Sequence, residues 1–362
     1  MKAIDDIRNE VAATAIRFMK SGRDAVHILG TNKYGLAAAH LIESEGGHVA
    51  GFIDDRRAGE ELHGFPIVSM ENVPEGGALL NCIVEGRSVE ARDNLLGRGP
   101  RIYCDYFALR LVRPNALPEV DFMGATDTIP ADLSRYRWLH DRLADDTSRT
   151  TLEGLLHFRF NRDIRGLERF TYRLHEQYFE TFVSLANDAV FVDGGGFDGG
   201  TVQEFHRRYP GHGTVHYFEP NAASMELSRQ NLAVVPHVRF VPKGLWNEAT
   251  ILHFDASLGS ASKVSEAGGA SITTTALDLE PIERVDMIKL DIEGAELSAL
   301  RGAEQLIRRH RPVLAVCVYH HQQDFWKVPE IVLGMVPDHA VYLRHYTQGV
   351  FETVMYFVPE GL

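Results

Sequence analysis

The chain has 362 residues, of which 44% are hydrophobic and 24% charged, and it carries a formal net charge of −13. At roughly 100 to 200 residues per domain, this length predicts two or three globular units, and the composition excludes a disordered or collagen-like chain. The acidic balance argues against a broad phosphate-binding surface, and Cys82, Cys104 and Cys317 form no CxxC pair, which points to neither a disulfide framework nor a thiolate zinc site.

An opening helical segment without the marks of a signal peptide leads into Ala25–Gly30, which reads as a buried strand. Leu36–Glu45 then reads as a helix and His48–Ile53 as a second strand ending in Asp54 and Asp55. With further strands at Ala78–Val84 and Arg101–Tyr103, residues 1–112 are expected to form a small Rossmann-like domain. Its first turn, Gly30 to Gly35, has Asn32 where a dinucleotide fingerprint would have its middle glycine. If it binds a nucleotide, the helix start after Thr31 is the phosphate site and Asp54 the ribose contact; a ligand-free dimerisation module is the other expectation, which would make the protein a homodimer. The run GFIDD followed by HGFPIV is similar to the small domains that hold a nucleotide-sugar ahead of some sugar acyltransferases.

Residues 113–186 lose the strand pattern. Prolines interrupt the start, and Leu133–Leu143 and Thr150–Leu185 carry apolar residues at helical spacing, which predicts a helical connector. From residue 187 strands and helices alternate again: strands at Val190–Asp193, Thr214–Glu219, Val238–Val241, Met287–Asp291 and Val313–Val318, and a closing hairpin of His339–Tyr346 with Thr353–Val358. The Gly/Ser/Ala-rich Ala256–Ser271 reads as a mobile loop or as a lid. No apolar run approaches the roughly 20 residues of a membrane span, and a cytoplasmic protein is expected.

The turn after Val190–Asp193 follows D-x-G-x-x-x-G, with Gly195 and Gly199 letting the chain reverse and a ligand approach backbone N–H groups. Asp193 and Asp198 would repel a dinucleotide pyrophosphate and attract the ammonium and sulfonium of S-adenosylmethionine. Glu219, ending the second strand in YFEP, can accept hydrogen bonds from both ribose hydroxyls of an adenosine cofactor.

The pieces VDGGGFDGGT, HYFEPN, VPKGLWNE, IKLDIEGAE, LRGAE, VYHH and LRHY stand in an order and spacing that resemble the FkbM family of methyltransferases over residues 189–358. The resemblance implies an α/β protein whose residues 187–362 form a seven-stranded Rossmann-like methyltransferase fold. It implies O-methylation of a hydroxyl on a sugar, glycan or natural product, with S-adenosylmethionine as cofactor and a small-molecule or glycan acceptor as partner; the acidic net charge leads to the separate expectation of no nucleic-acid partner. It further puts Asp193, Gly195 and Gly199 around the methionine part, Glu219 on the ribose, and Gly244 and Leu245 beside adenine. The glycine-rich Gly194–Gly196 and Phe197 depart from the family pattern.

Transfer to oxygen needs an in-line approach and a base for the hydroxyl proton. Asp291 at the end of the central strand, Glu293 two residues later and His320 after the neighbouring strand are the catalytic candidates, and of His320 and His321 at least one is expected to be a surface residue. Asp291, Glu293 and His320 could instead supply ligands to a divalent metal, although their separation carries no ligand signature. Lys289 is expected to reach water or Asp291, and Arg344, His345, Tyr346 and Glu352 either line the acceptor site or pair across the hairpin. The alternative function is a non-catalytic nucleotide-sugar-binding protein with a degenerate methyltransferase domain.

Overall fold

The computed structural model describes residues 2–22, 24–97, 102–124, 129–254 and 270–360, and within them the chain divides into two compact units. One comprises residues 1–129, 150–174 and 346–351; the other comprises 130–149, 175–345 and 352–362.

In the first unit, helix α1 (Lys2–Ser21) precedes β1 (Val26–Leu29), α2 (Lys33–Ser44), β2 (Val49–Ile53), β3 (Glu61–Leu62), β4 (Phe65–Val68), β5 (Ala78–Asn81), α3 (Ser88–Leu96), β6 (Ile102–Asp105) and α4 (Tyr106–Val112). The sheet order is β3-β4-β2-β1-β5-β6, parallel except for the β3–β4 pair, and β1 and β5 are almost fully buried. That burial is what continuous apolar strands covered on both faces require. The first turn does not present bare donors: Asn32 caps α2 by accepting hydrogen bonds from the backbone of Tyr34 and Gly35, and its amide donates to the Cys82 carbonyl at 3.0 Å. Two of the N–H groups at this helix start, those of Tyr34 and Gly35, are therefore already engaged.

Helices α5 (Ile129–His140) and α6 (Asp146–Asn161) follow. The helix expected to run on to Leu185 stops at Asn161, because Arg162 turns into the left-handed region (φ 55°), leaving only single 3-10 turns at Ile164–Leu167 and Leu174–Glu176. Apolar periodicity persists past the helix because the irregular segment is itself buried, at Ile164, Leu167, Phe170, Tyr178 and Phe179.

The second unit is built on β7 (Phe191–Gly194), α7 (Gly200–Arg208), β8 (Val215–Phe218), α8 (Ala222–Asn231), β9 (Val238–Val241), β10 (Gly244–Leu245), β11 (Ile251–Phe254), β12 (Ala270–Thr275), β13 (Met287–Leu290), α9 (Glu296–Arg301), α10 (Glu304–His310), β14 (Val313–Cys317), α11 (Asp324–Met335), β15 (His339–His345) and β16 (Thr353–Pro359). Its seven-stranded sheet has the order β15-β16-β14-β13-β7-β8-β9, with the hairpin antiparallel on one edge and the remaining strands parallel. This is the α/β architecture expected. Strand order reverses between β7 and β13, so the crevice outside their carboxyl ends is where such sheets bind ligands.

A three-stranded sheet β10-β12-β11 was not expected from the sequence. Ala270 and Ser271, read as the end of a Gly/Ser-rich loop, begin β12, whose ASITTT run is β-branched and suits a strand. The rest of the Ala256–Ser271 segment lies outside the described residues.

Two glycines separate the roles this residue plays. At Gly302 a Cβ would stand 2.1 Å from the Trp246 carbonyl, whereas at Gly334, within α11, it would meet nothing within 4 Å. Chemical denaturation should show Gly334→Ala stabilising the protein by about 0.5–1 kcal/mol through helix propensity. Gly302→Ala should destabilise it by about 2 kcal/mol or more through the enforced backbone shift. Equal effects at the two positions would contradict this packing.

Candidate functional site

The register of β13 against β7 sets Lys289 beside Asp193, and the two form an ion pair at 3.0 Å with 3% and 0% of their side chains exposed. The Lys289 ammonium also donates to the carbonyls of Gly195 at 2.6 Å and Gly194 at 3.2 Å, so it ties the glycine turn to the central strand. Burial alone would drive the proton off Lys289, but Asp193 and Asp291 outweigh it and raise its pKa. Lys289 was expected to reach Asp291 or water; it pairs with Asp193 instead, because the two are cross-strand neighbours.

The turn consumes its own donors. Gly195 and Gly196 donate to the Phe218 carbonyl, and Phe197 N–H donates to Glu219 Oε2 at 3.1 Å. Its glycines answer to the protein's own close approaches. A Cβ on Gly195 (φ 75°) would fall 1.9 Å from the Asp291 carbonyl oxygen, and one on Gly199 (φ 89°) 2.8 Å from Leu232. Leu245 reaches the same strand end, 2.8 Å from where a Gly194 Cβ would lie, and Gly244 precedes it in β10. Asp193, Gly195, Gly199, Glu219, Gly244 and Leu245 are thus gathered around the carboxyl ends of β7 and β8. Phe197 in this turn is 66% exposed, with φ 52°. Asp198 bonds the backbone of Gly200.

The second cluster lies at the ends of β13 and β14. Asp291 accepts hydrogen bonds from the Tyr178 hydroxyl at 2.9 Å and the Tyr319 hydroxyl at 3.0 Å. Burial pushes its carboxyl up, but Lys289, His320 and the two hydroxyls prevail and hold it below the ordinary carboxylate range. His320, with its side chain fully buried, meets Glu296 Oε1 through Nδ1 at 3.0 Å; its Nε2 faces Asp291 at 3.5 Å and Glu293 at 3.6 Å. Burial disfavours its charge, yet Glu296, Asp291 and Glu293 overcome it and bring its pKa to about 9, so the ring is an imidazolium at neutral pH. Glu293 stands in the left-handed region (φ 55°) with about half its side chain exposed, and desolvation beside Asp291 and Glu296 pushes its carboxyl up to about 7. Glu352 is also left-handed (φ 69°), receives the Gln177 amide at 2.5 Å and is pushed to about 7 by burial and by Asp291.

Asp291, Glu293 and His320 therefore come together, and Glu352 joins them. His321 is exposed. Arg344 does not join them: its guanidinium is taken by Asp145 at 2.7 Å and Ser148 at 2.8 Å, and His345 pairs with Thr353 across the hairpin, so these two support structure. Tyr346 falls in the other compact unit. Sequence reasoning missed Glu296, Tyr319, Tyr178 and Gln177. Glu296 and Tyr319 lie within the quoted motifs IKLDIEGAE and VYHH, and an acid on the buried stripe of a helix was a usable signal; Tyr178 and Gln177 carry no local signal at all. Tyr178, Phe197, Glu293 and Glu352 are all non-glycine residues at positive φ, and such strain gathers where function over-determines the backbone.

Residues 186–348 match the profile of the methyltransferase FkbM domain. The chain is similar in structure to the methyltransferase FkbM from Methylobacillus flagellatus KT, with a TM-score of 0.75 and 22% identity over 98% of this chain and 99% of that one. Weaker likenesses include a precorrin-6y C5,15-methyltransferase from Geobacter metallireducens GS-15 (TM-score 0.32, 16% identity, 49% of this chain and 82% of that one). An rRNA methylase from Streptococcus thermophilus scores 0.33 at 15% identity, over 49% of this chain and 90% of that one. No curated protein matches. The seven-stranded sheet, the gathered carboxylates at its switch point and the profile match agree: the chain carries an FkbM methyltransferase domain over residues 186–348.

Proposed function

We propose that this methyltransferase uses S-adenosylmethionine to methylate a hydroxyl of a sugar, glycan or natural-product acceptor. The observation that carries the reading is Glu293, a half-exposed carboxylate with a pKa near neutrality, beside a buried imidazolium at the sheet's switch point. The three-part division at residues 112 and 186 belongs to the same proposal, with residues 187–362 as the catalytic part.

The residues at the end of β8 suit the cofactor. Each Glu219 oxygen accepts one backbone hydrogen bond, from Phe197 and from Asn221, which leaves lone pairs for a ribose diol. Exposed Phe197 offers an apolar face beside it. With Asp193 neutralised by Lys289, attraction for the cofactor's positive charge falls to Glu219 and Asp291. When bound, S-adenosylmethionine supplies a methyl group on a sulfonium.

Glu293 takes the proton of the acceptor hydroxyl as the carbon–oxygen bond forms and the carbon–sulfur bond breaks. Asp291, pinned by Tyr178 and Tyr319, orients the hydroxyl and keeps its own proton affinity low. His320, fixed by Glu296, holds Glu293 and Asp291 in place and is too basic to act as the base near neutral pH. Ligand atoms of Asp291, Glu296 and His320 lie within 4.8 Å of one another, a set in which Glu296 replaces the Glu293 considered from sequence. A cation bound there would have to displace the proton on His320.

Calorimetry should show S-adenosylmethionine binding and NAD and nucleotide-sugars silent, with Glu219→Gln weakening the cofactor about tenfold. Heat with a nucleotide-sugar and none with S-adenosylmethionine would favour the non-catalytic binding protein. With an acceptor in hand, kcat/KM should rise as pH passes about 7, where Glu293 ionises, and fall above about 9, where His320 loses its proton. Glu293→Gln should cost about 10²- to 10⁴-fold and abolish the rising limb; a variant of full activity removes Glu293 as the base.

Imidazole NMR tests the ion pair without any acceptor. His320 should remain protonated well above the ordinary imidazole value of 6.5, and Glu296→Gln should bring its titration down. Since the folded pKa is the higher one, the stability this pair adds is complete below pH 6.5 and is lost as pH rises through about 9. A neutral His320 at pH 7 would contradict the arrangement.

A further inference from the structure

In the first compact unit, arginines gather at the end of α6. Arg159 stands in the last turn of that helix and Arg162 follows it where the chain turns left-handed, so both guanidiniums reach one stretch of backbone. Arg159 donates to the carbonyls of Phe122 at 2.9 Å, Met123 at 3.3 Å and Val350 at 3.3 Å, and Arg162 to that of Gly124 at 2.7 Å. Carbonyls satisfy N–H groups but carry no net charge, and the dipole at the end of α6 offsets only about half of one. The carboxylate within reach is Glu119, and it is divided: one oxygen meets Arg110 at 2.5 Å, while the other stands 3.6 Å from Arg162, too far for a hydrogen bond. The side chain of Glu119 is 44% exposed and that of Arg162 only 7%. Arg162 Nη1 is buried and has no hydrogen-bond partner among the described residues. Burial brings the Arg162 guanidinium down to about 10, Arg159, Arg110 and Arg8 push the same way, and Glu119 opposes them, so positive charge is in excess here. A buried cationic donor that nothing receives is costly, and one shared, half-exposed carboxylate does not balance the arginines around it.

We infer that Arg162 and Arg110 bind the dianionic phosphoryl group of a small ligand, which enters from the side of Glu119 and takes that carboxylate's place. The free donors of a planar guanidinium suit phosphate oxygens, and a dianion supplies the charge that one carboxylate does not. The phosphodiester linkage of a nucleotide-sugar carries substituents on both sides and a single charge per phosphorus, so it fits this enclosed position poorly. Free phosphate and the phosphoryl end of a phosphomonoester share the chemistry that fits. The place differs from the start of α2 after Thr31, where the sequence put a phosphate. Arg8, Arg110, Glu119, Arg159 and Arg162 all lie outside residues 186–348, so the site belongs to the part of the chain that the family profile does not match and stands independently of the methyltransferase reading.

The test is a calorimetric titration of the full chain near neutral pH, in a phosphate-free buffer, with inorganic phosphate, glucose 6-phosphate and acetate. Phosphate should bind, and acetate should bind at least about tenfold more weakly. Arg162→Gln should weaken phosphate by about tenfold or more, whereas Glu119→Gln, which removes the competing carboxylate, should tighten it about fivefold. Because the Glu119 side chain is half-exposed, this second variant tests the site even where Arg162→Gln does not fold. Glucose 6-phosphate binding alongside phosphate makes the ligand a phosphomonoester, and phosphate binding alone makes it the free ion; both support the inference. It is overturned if neither the native protein nor Glu119→Gln binds phosphate, if acetate binds as tightly, if Glu119→Gln fails to tighten phosphate, or if a folded Arg162→Gln protein binds phosphate as the native one does. The arginines then serve only to fasten the Phe122–Gly124 backbone to α6.

Discussion

The pairing of Lys289 with Asp193 is the interaction on which the catalytic unit depends. It joins the two strands between which the order of the sheet reverses, and it does so at the ends from which both site turns depart. A buried ion pair adds little net stability over an apolar replacement, but losing one partner leaves an uncompensated charge and costs about 3–5 kcal/mol. Its value here is positional. The ammonium that neutralises Asp193 also holds the Gly194 and Gly195 carbonyls, so the turn is fixed by a side chain from the strand that carries Asp291.

That arrangement sorts the neighbouring carboxylates by what answers their charge. Asp193 has Lys289, Asp291 has two tyrosine hydroxyls, and Glu296 has His320. Glu293 and Glu352 have less support and titrate near neutrality, which suits the half-exposed Glu293 to proton transfer. Groups of one chemical type thus take different roles through their surroundings, as happens where acid and base work is done at one pH.

Much of this was legible in the sequence because strands buried on both faces read as continuous apolar runs. Val190–Asp193, Met287–Asp291 and Val313–Val318 were located within a residue or two, and the acids and histidine that end or follow them were singled out from that placement. The helix past Asn161 was misjudged because periodicity reports burial and not hydrogen bonding, and Arg162 reverses the backbone without glycine or proline to announce it. Tyr178 reaches Asp291 across 113 positions of sequence, and no local pattern encodes such a contact.

The glycines of the turn show how a correct motif can rest on a different physical cause. Sequence reasoning took Gly195 and Gly199 as letting the chain reverse and a ligand approach, and in the structure each also makes room for the protein: one for the Asp291 carbonyl, the other for Leu232. The Gly195 N–H donates to the Phe218 carbonyl and the Gly199 N–H to the Gly196 carbonyl. The turn therefore acts less as a cradle than as a spacer that sets the carboxyl ends of β7, β8 and β13 at close quarters. On the proposed reading, recognition of a positively charged cofactor passes to the carboxylates so placed, because backbone donors already used inside the protein cannot select a ligand, and uncompensated carboxylates can.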